Sequence, residues 1–334
     1  MKPMTSPRSA LRGAALALLA AIFLAPPAAA AEPQVVRLVL DWAWLPYHAA
    51  VLLAQGKGYF RDAGLDVKIE QGRGSATTAM LVGHGDFDIG HLNITNAAQA
   101  IGKGVPMKVV AIYQHKTAAS FVGIKGRVKL DTPQSLIGPK IGSTPGGSDG
   151  LSVKVFAAVN HIPMSKLNII ALNADAKNSA LLNGSIDVVS GDSPAYIALV
   201  TDAGFEPEVI EMSKLGVPLI GFGIAVNQDF LKQHGDSIPK FLAAFRHGYQ
   251  DLAADPKAAC EFMREKVHLP LSVSYCVNYN QRLLALSTPP SDPSWGHQSE
   301  EEWKALTSTL EGVGEMPGGK PLDAFYTNDY LPKP

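Results

Sequence analysis

The sequence alternates short, β-branched apolar segments with segments of helical spacing, and this order begins again about one hundred residues later. Residues 35–40 (VVRLVL) and 65–70 (LDVKIE) are typical of strands, and residues 49–57 (AAVLLAQGK) between them predict a helix. The same order restarts at residues 140–142. Strands that alternate with helices predict an α/β fold with mostly parallel sheets.

Two segments about one hundred residues apart are also similar in sequence. Residues 81–90 (LVGHGDFDIG) and 181–191 (LLNGSIDVVSG) each predict the end of a helix, a glycine turn and a short strand that opens with Asp88 or Asp187. A chain of 334 residues usually forms more than one domain. We therefore expect two similar α/β lobes.

Composition excludes several classes of protein. The formal net charge is −1, so the chain has no surplus of Lys and Arg. Because neutralising phosphates requires such a surplus, no nucleic-acid partner is expected. The hydrophobic content of 46% excludes a mostly disordered chain. Two cysteines exclude a disulfide scaffold and a cysteine-rich zinc module. Cys260 and Cys276 could form a disulfide or remain buried thiols.

Residues 1–31 have the three parts of a secretory signal. Three basic residues precede an apolar run over residues 13–24, and Ala29 and Ala31 fit a cleavage site near Ala31. The run holds about a dozen residues, whereas a membrane span needs about twenty. We therefore expect an exported, periplasmic chain with no membrane span after cleavage. Loss of the three basic residues changes the net charge from −1 to −4.

Several motifs resemble those of one protein family. They are LDW at residues 40–42, PYH at 46–48, LAQGKGYF at 53–60, GLDV at 64–67, GDFDIG at 85–90, FLK at 230–232 and YTNDYL at 326–331. Together they make the chain similar to the Thi5-like (NMT1) family. That family belongs to the wider SsuA-type group of aliphatic-sulfonate, nitrate and thiamine-precursor binding proteins.

The resemblance implies a type II periplasmic binding protein fold, in which two α/β lobes enclose a ligand cleft and two crossover strands join them. The crossovers would lie near residues 121–125 and 222–227. Lobe one would comprise residues 32–124 and, with the C-terminal helices, 222–334, and lobe two residues 125–221. The resemblance also implies a monomeric receptor that closes around one small molecule and delivers it to an ABC permease and its ATPase.

The same family contains enzymes. Its fungal pyrimidine synthases hold pyridoxal phosphate on a lysine, with a histidine one helical turn later and a cysteine cluster farther along. Leu92 and Asn96 stand at the first two positions here, and the cluster falls on residues 220–223 (IGFG). Leucine cannot form a Schiff base. We therefore expect a binding protein and not an enzyme, with no catalytic residue, no cofactor and no metal.

Candidate ligand-binding residues follow the predicted strands, because ligands of open α/β sheets bind beyond the carboxyl ends of the strands. Trp42 and Trp44 share one loop, where they could stack on a planar ligand or pack between the lobes. Asp41 and Asn93 could contact a ligand or cap helices. The full set is Asp41, Trp42, Trp44, Tyr47, His48, Asn93, Tyr113, Gln114, Gly146, Gly147, Ser148, Asp192, Tyr196 and Phe222.

Two classes of ligand stay open. The paired tryptophans favour a planar heteroaromatic molecule such as a thiamine-precursor pyrimidine, whereas Ile197 argues against it, since pyrimidine-binding relatives carry an acid there. The loop at residues 144–150 (TPGGSDG) precedes a helix, and its N–H groups favour a small carboxylate or sulfonate, aromatic ones included. Asp149 in this loop would repel an anion unless, as we expect, it caps the helix. Basic residues are scarce in the candidate loops, so an anion would depend on backbone N–H groups.

Overall fold

The computed structural model describes residue 1, residues 32–145 and residues 147–332. Apart from Met1, the predicted signal segment lies outside the described residues. The strands are β1 (Gln34–Val39), β2 (Leu65–Glu70), β3 (Ile89–Asn93), β4 (Met107–Ile112), β5 (Ala119–Ile124), β6 (Lys140–Ser143), β7 (Asn168–Ala171), β8 (Val188–Asp192), β9 (Pro207–Glu211) and β10 (Phe222–Asn227). The helices are α1 (Ala49–Gly56), α2 (Tyr59–Asp62), α3 (Ser75–His84), α4 (Ile94–Gly102), α5 (Ser148–Val159), α6 (Ala174–Asn183), α7 (Ser193–Asp202), α8 (Gln228–His234), α9 (Ser237–Ala254), α10 (Pro256–Val267), α11 (Val273–Leu284) and α12 (Glu300–Gly312).

The strands form two five-stranded sheets with the same topology. The first has the order β2-β1-β3-β10-β4 and the second the order β7-β6-β8-β5-β9. In each sheet one strand, β10 or β5, runs antiparallel to both of its neighbours, while the first three strands pair in parallel. The predicted α/β class is therefore confirmed, and each sheet is mixed. We did not predict β9 and α7, because a short, half-buried edge strand leaves little apolar pattern.

The two similar segments occupy equivalent places in the two sheets. Gly85 and Gly184 end α3 and α6 with the same left-handed φ of 81°, a conformation that favours glycine. Asp88 then accepts a hydrogen bond from the backbone N–H of Arg37 at 2.7 Å. Asp187 accepts one from the backbone N–H of Lys140, also at 2.7 Å. Arg37 on β1 therefore occupies the same position in the first sheet as Lys140 on β6 does in the second.

The chain crosses between the sheets twice. We expected residues up to 124 to belong to the first lobe, but β5 pairs with β8 and β9, so the first crossing lies between β4 and β5. The second crossing leads from β9 to β10, which returns to the first sheet between β3 and β4. Helices α8 to α12 follow on that side of the molecule.

The C-terminal helices support the segment that follows β1. Gly248 on α9 faces α1 so closely that a Cβ there would lie 2.0 Å from the carbonyl oxygen of Ala50. A disulfide joins Cys260 on α10 to Cys276 on α11. Asn280 on α11 donates a hydrogen bond to the carbonyl oxygen of Pro46 at 3.2 Å. Within the described part of the chain, no helix combines the length and apolarity needed to cross a membrane.

Candidate ligand-binding site

A cavity of about 130 Å³ lies where the carboxyl ends of strands from the two sheets face each other. Its walls come from the loop after β1, from the starts of α5 and α7, from α6 and α11, and from the first residue of β10. The lining residues are Asp41, Trp42, Leu45, Tyr47, Thr144, Gly147, Ser148, Asp149, Lys177, Asn178, Gly191, Asp192, Ala195, Tyr196, Phe222, Tyr275 and Tyr279. Polar and aromatic side chains thus converge on one space between the two sheets.

An aromatic wall forms one side of the cavity. The ring of Tyr47 stacks on Phe222 with 5.0 Å between centroids and on Tyr279 with 5.8 Å. Tyr275, one turn before Tyr279 on α11, adds a further ring, and its hydroxyl donates a hydrogen bond to the carbonyl oxygen of Ala195 at 3.5 Å. Such a rigid surface suits a flat, apolar ligand face.

Asp41 is the centre of a buried hydrogen-bond network beside this wall. Its carboxylate accepts hydrogen bonds from the Tyr47 hydroxyl at 2.5 Å, from Nε2 of His48 at 3.0 Å and from Nδ1 of His91 at 2.9 Å. The other ring nitrogen of His91 accepts a hydrogen bond from the Tyr113 hydroxyl. Burial alone would raise the pKa of Asp41, but the hydrogen bonds from His48 and His91 outweigh it and lower that pKa well below its usual value. Asp41 is therefore a carboxylate with a fixed orientation.

Asp41, His48 and His91 lie close enough together to suggest a metal site. The protonation of His48 argues otherwise. Its Nδ1 accepts a hydrogen bond from the backbone N–H of Leu45 at 3.0 Å, so the ring proton must be on Nε2, the atom that faces Asp41. Burial also lowers the pKa of His48, which favours the neutral ring. Because Nε2 offers no lone pair, these residues form a hydrogen-bond network and not a set of metal ligands.

A buried ion pair forms the opposite wall. The ammonium of Lys177 on α6 donates hydrogen bonds to Asp149 and to the carbonyl oxygen of Ser190, each at 2.9 Å, and it lies 5.3 Å from the ring centroid of Tyr196. The side chains of Lys177 and Asp149 are only 5% and 8% exposed. Burial lowers the pKa of Lys177, but Tyr196 and Asp149 raise it by more, so the lysine remains charged. A basic group therefore reaches the cavity from a helix, outside the candidate loops.

Asp149 does not cap α5 as expected. Gly147 occupies the N-cap position without a side-chain hydrogen bond, and Asp149 lies within the first turn. Its carboxylate accepts hydrogen bonds from the backbone N–H of Thr144 at 2.8 Å and from Lys177. The negative charge of Asp149 is thus directed at Thr144 and Lys177, and it links the end of β6 to α6.

Asp192 lies at the N-cap position of α7 and lines the cavity. Its side chain makes no capping hydrogen bond to α7, in contrast to Asn93, which caps α4 by accepting from the N–H of Thr95 at 3.1 Å. Burial raises the pKa of Asp192 to about 7, and the charges of Asp41 and Asp149 act in the same direction. Asp192 therefore exchanges its proton near neutral pH.

The structure brings eight of the predicted residues to the cavity and places others behind it. Those that line the cavity are Asp41, Trp42, Tyr47, Gly147, Ser148, Asp192, Tyr196 and Phe222. His48 and Tyr113 support Asp41 from behind, the former directly and the latter through His91. Asn93 caps α4. Gly146 lies outside the described residues.

Two further predicted residues, Trp44 and Gln114, lie outside the lining of the cavity. The ring of Trp44 packs edge-on against His48 with 6.0 Å between centroids. Gln114 is buried at the first crossing, where its side chain donates a hydrogen bond to the carbonyl oxygen of Lys116 at 3.1 Å. The prediction instead missed Lys177, Tyr275 and Tyr279. They lie inside helices, so no strand-end rule selects them, although the tyrosine spacing of one helical turn was visible.

Comparison with known proteins identifies the family. The sequence profile described as "NMT1/THI5 like" matches residues 45–259. The chain belongs to the NMT1/THI5-like family. One similar protein is the 4-amino-5-hydroxymethyl-2-methylpyrimidine phosphate synthase THI13 of Saccharomyces cerevisiae. It is 27% identical over 314 residues, which cover 90% of this chain and 88% of the synthase.

Solved structures share the fold of this family member. The alkanesulfonate-binding protein SsuA of Xanthomonas axonopodis pv. citri, bound to MOPS, superposes with a TM-score of 0.67 at 17% identity and covers 86% of this chain and 96% of its own. The periplasmic nitrate-binding protein NrtA of Synechocystis PCC 6803 superposes with a TM-score of 0.67 at 13% identity, covering 90% and 87%. The fold is therefore that of periplasmic binding proteins.

One expectation is overturned by these comparisons. We expected the chain not to be an enzyme, but the curated relatives that match 90% of it at 27% identity are named pyrimidine phosphate synthases. Leu92, at the position of the synthase lysine, is fully buried in the core and has no amine, so pyridoxal phosphate does not fit there. Asn96, at the histidine position, is buried on α4. Leu92 and Asn96 therefore lack the amine and the imidazole that the resemblance implies for the synthases.

Proposed function

We propose that this chain is the periplasmic receptor of an ABC importer and that it captures one single-ring heteroaromatic molecule between its two lobes. The observation that carries the proposal is the cavity of about 130 Å³, which aromatic side chains from both sides of the cleft line. Cavities of about 150 Å³ hold benzene, so the volume suits one aromatic ring. The fold shared with sulfonate- and nitrate-binding proteins supports the role of receptor.

Lobe closure requires a hinge, and the two crossings between the sheets supply a candidate. The N–H of Gly221 donates a hydrogen bond to the carbonyl oxygen of Gln114 at 3.1 Å. The N–H of Gln114 donates one to the carbonyl oxygen of Phe222 at 3.2 Å. Two paired strands can bend together while each sheet keeps its own hydrogen bonds. The closed shape, with residues 1–31 removed after export, would be what the permease and its ATPase recognise in the monomer.

The charges around the cavity favour a heteroaromatic ligand over a carboxylate or sulfonate. Asp41 is ionised, and Asp149 is neutralised by Lys177, so the described lining of the cavity holds no free cation for an anionic ligand. Asp192 adds a third acidic group. A ligand with hydrogen-bond donors fits this set, and Asp192 supplies the acid whose absence at Ile197 argued against a pyrimidine.

A binding screen tests the proposal. Isothermal titration calorimetry and thermal shift would compare 4-amino-2-methylpyrimidine, benzoate and benzenesulfonate. We expect the pyrimidine to bind and to raise the Tm. Trp42→Ala should weaken this binding by about tenfold or more, because Trp42 lines the cavity, while Trp44→Ala from the same loop should leave the affinity near that of the wild type. Unchanged affinity in Trp42→Ala, or binding of the sulfonate alone, would contradict the proposal.

Pyrimidine synthesis in the same cavity is a second candidate, favoured by the names of the relatives. Lys177 is the described lysine that lines the cavity, and its pairing with Asp149 helps to keep the amine protonated, which opposes Schiff-base formation. Borohydride treatment after incubation with pyridoxal phosphate, followed by intact mass measurement, decides the matter. An adduct that is absent from Lys177→Met would favour the synthase.

A further inference from the structure

Acids outnumber bases in the lining of the cavity. The described lining holds three carboxyl groups and one ammonium group, which belong to Asp41, Asp149, Asp192 and Lys177. Lys177 and Asp149 form an ion pair at 2.9 Å, so these two charges cancel. The charge that remains on the lining is that of Asp41, and Asp192 adds to it when it has lost its proton. The described walls of the cavity are therefore negative.

The carboxylate of Asp41 is buried without a full positive charge to balance it. Its side chain is 7% exposed, and the described chain places no lysine or arginine within ion-pair distance of it. The two imidazoles that donate hydrogen bonds to Asp41 are neutral, because the second nitrogen of each ring accepts a hydrogen bond, from the N–H of Leu45 for His48 and from the Tyr113 hydroxyl for His91. Since buried charges in proteins are normally paired, an ionised carboxylate in the wall of a cavity favours a ligand that brings a positive charge.

Aromatic rings line the same space. The residues that carry them are Trp42, Tyr47, Tyr196, Phe222, Tyr275 and Tyr279. The face of such a ring attracts a cation within about 6 Å of its centre, and sites made of several rings bind quaternary ammonium groups. One contact of this kind already exists, because the ammonium of Lys177 lies 5.3 Å from the ring centroid of Tyr196. Lys177 keeps its charge there in spite of its burial, so the lining stabilises positive charge.

We propose, on the basis of the proposed function, that the ring captured in the cavity is a heteroaromatic cation, of which N-methylpyridinium is the simplest form. Asp41 supplies the fixed negative charge, and the aromatic wall of Tyr47, Phe222 and Tyr279 supplies ring faces. The pairing of Lys177 with Asp149 keeps the lysine from repelling this ligand. A neutral ring of the same shape would leave Asp41 without a counter-ion.

The charge of the cavity changes near neutral pH at Asp192. The titratable groups that face it come from the loop after β1 and from α5, α6, α7 and α11, and they are Asp41, Tyr47, Asp149, Lys177, Tyr196 and Tyr279. The pKa of Asp41 is lowered and those of the lysine and the tyrosines are raised, so these groups keep their charge states between about pH 6 and about pH 8. Asp192, with a pKa of about 7, loses its proton in this interval. The affinity for a cation should therefore rise with pH, because binding releases a proton.

The experiment uses calorimetry with N-methylpyridinium and with toluene, which has the same shape but no charge. The wild type should prefer the cation by about tenfold or more, and its affinity for the cation should rise about fivefold from about pH 6 to about pH 8. Asp192→Asn should keep the preference, since Asp41 remains, but lose the rise. We change Asp192 and not Asp41, because Asp41 also holds its hydrogen-bond network together.

Asp202→Asn is the matched control, because it removes the same charge from the exposed end of α7, outside the lining. It should behave as the wild type does. If 4-amino-2-methylpyrimidine binds, and N-methylpyridinium either fails to bind or binds no more tightly than toluene, the recognition of a positive charge is overturned while the proposed function stands. Binding of benzenesulfonate alone overturns both.

Discussion

The two lobes have one topology but opposite ways of presenting polar groups to the cleft. Asn93 and Asp192 occupy the same place, the last residue of the central strand and the N-cap of the next helix. Asn93 uses its side chain to cap α4, whereas Asp192 leaves α7 uncapped. Two residues earlier, His91 in the first lobe joins the Asp41 network, whereas Ser190 in the second lobe accepts from Lys177 with its carbonyl oxygen and donates from its hydroxyl to Asp149. On the side of the first sheet, here called the first wall, the polar side chains around Asp41 are hydrogen-bonded to one another. On the side of the second sheet, here called the second wall, Asp192 remains an acid without a capping hydrogen bond.

The largest effect should come from removing the centre of the first wall. Asp41→Ala leaves the donors of Tyr47, His48 and His91 without an acceptor. At about 1–3 kcal/mol for each of the three unsatisfied buried groups, the free energy of unfolding should fall by about 3–9 kcal/mol. Urea denaturation measures it, and Tyr47→Phe, which removes one donor, should cost about 1 kcal/mol. A loss below about 1 kcal/mol for Asp41→Ala would show that the first wall is not held by this network.

A smaller loss is expected from breaking the ion pair of the second wall. Lys177→Met leaves the Asp149 carboxylate buried without its cation, and breaking such a pair costs about 3–5 kcal/mol. The double variant Lys177→Met with Asp149→Asn should recover part of this loss, since no charge then remains unpaired. A double-mutant cycle by urea denaturation measures the coupling. Additive losses would mean that the two charges are independent.

The free acid should make the stability of the second wall depend on pH. The folded-state pKa of Asp192 is raised to about 7, so its protonated form is favoured by folding, and this stability is present at low pH and lost as the pH rises toward 7. Asp192→Asn should therefore equal the wild type near pH 4 and exceed it by about 1–3 kcal/mol near pH 8. Asp41, with its lowered pKa, acts in the opposite direction and loses its contribution only under more acidic conditions. If the difference in the free energy of unfolding between Asp192→Asn and the wild type does not change with pH, Asp192 does not make the second wall sensitive to pH.

The smallest effect tests the two N-caps. Asn93→Ala removes a capping hydrogen bond and should lower the free energy of unfolding by about 1 kcal/mol. Asp192→Ala removes none and should not destabilise the ligand-free protein near pH 8. Thermal denaturation of both variants at that pH gives the comparison, and equal losses would mean that Asp192 does cap α7.

The sequence predicted the parts of the fold that depend on local pattern. Strand and helix periodicity located most elements, and the similar segments around Asp88 and Asp187 indicated two related sheets. The loop after the first strand also supplied three cavity residues, Asp41, Trp42 and Tyr47. Each of these signals lies within a few neighbouring residues.

What the sequence did not predict depends on contacts between distant segments. Lys177 reaches the cavity because α6 packs beside β6, and Tyr279 because α11 folds back over the loop after β1. Trp44, two residues after Trp42, packs against His48 and does not line the cavity. The similarity to proteins named as enzymes was likewise not expected, because Leu92 and Asn96 had argued against an enzyme.

Because of the disulfide between Cys260 and Cys276, the ligand affinity of a protein sample should depend on whether that sample was oxidised. Cys276 lies between Tyr275 and Tyr279 on α11, and Asn280 contacts both sulfur atoms and the carbonyl oxygen of Pro46. A chain folded in a reducing cytosol would keep these tyrosines in place by packing alone, while one oxidised after export would have them covalently anchored. Two preparations of identical sequence could then give different affinities, and the thiol content of a sample becomes part of its description.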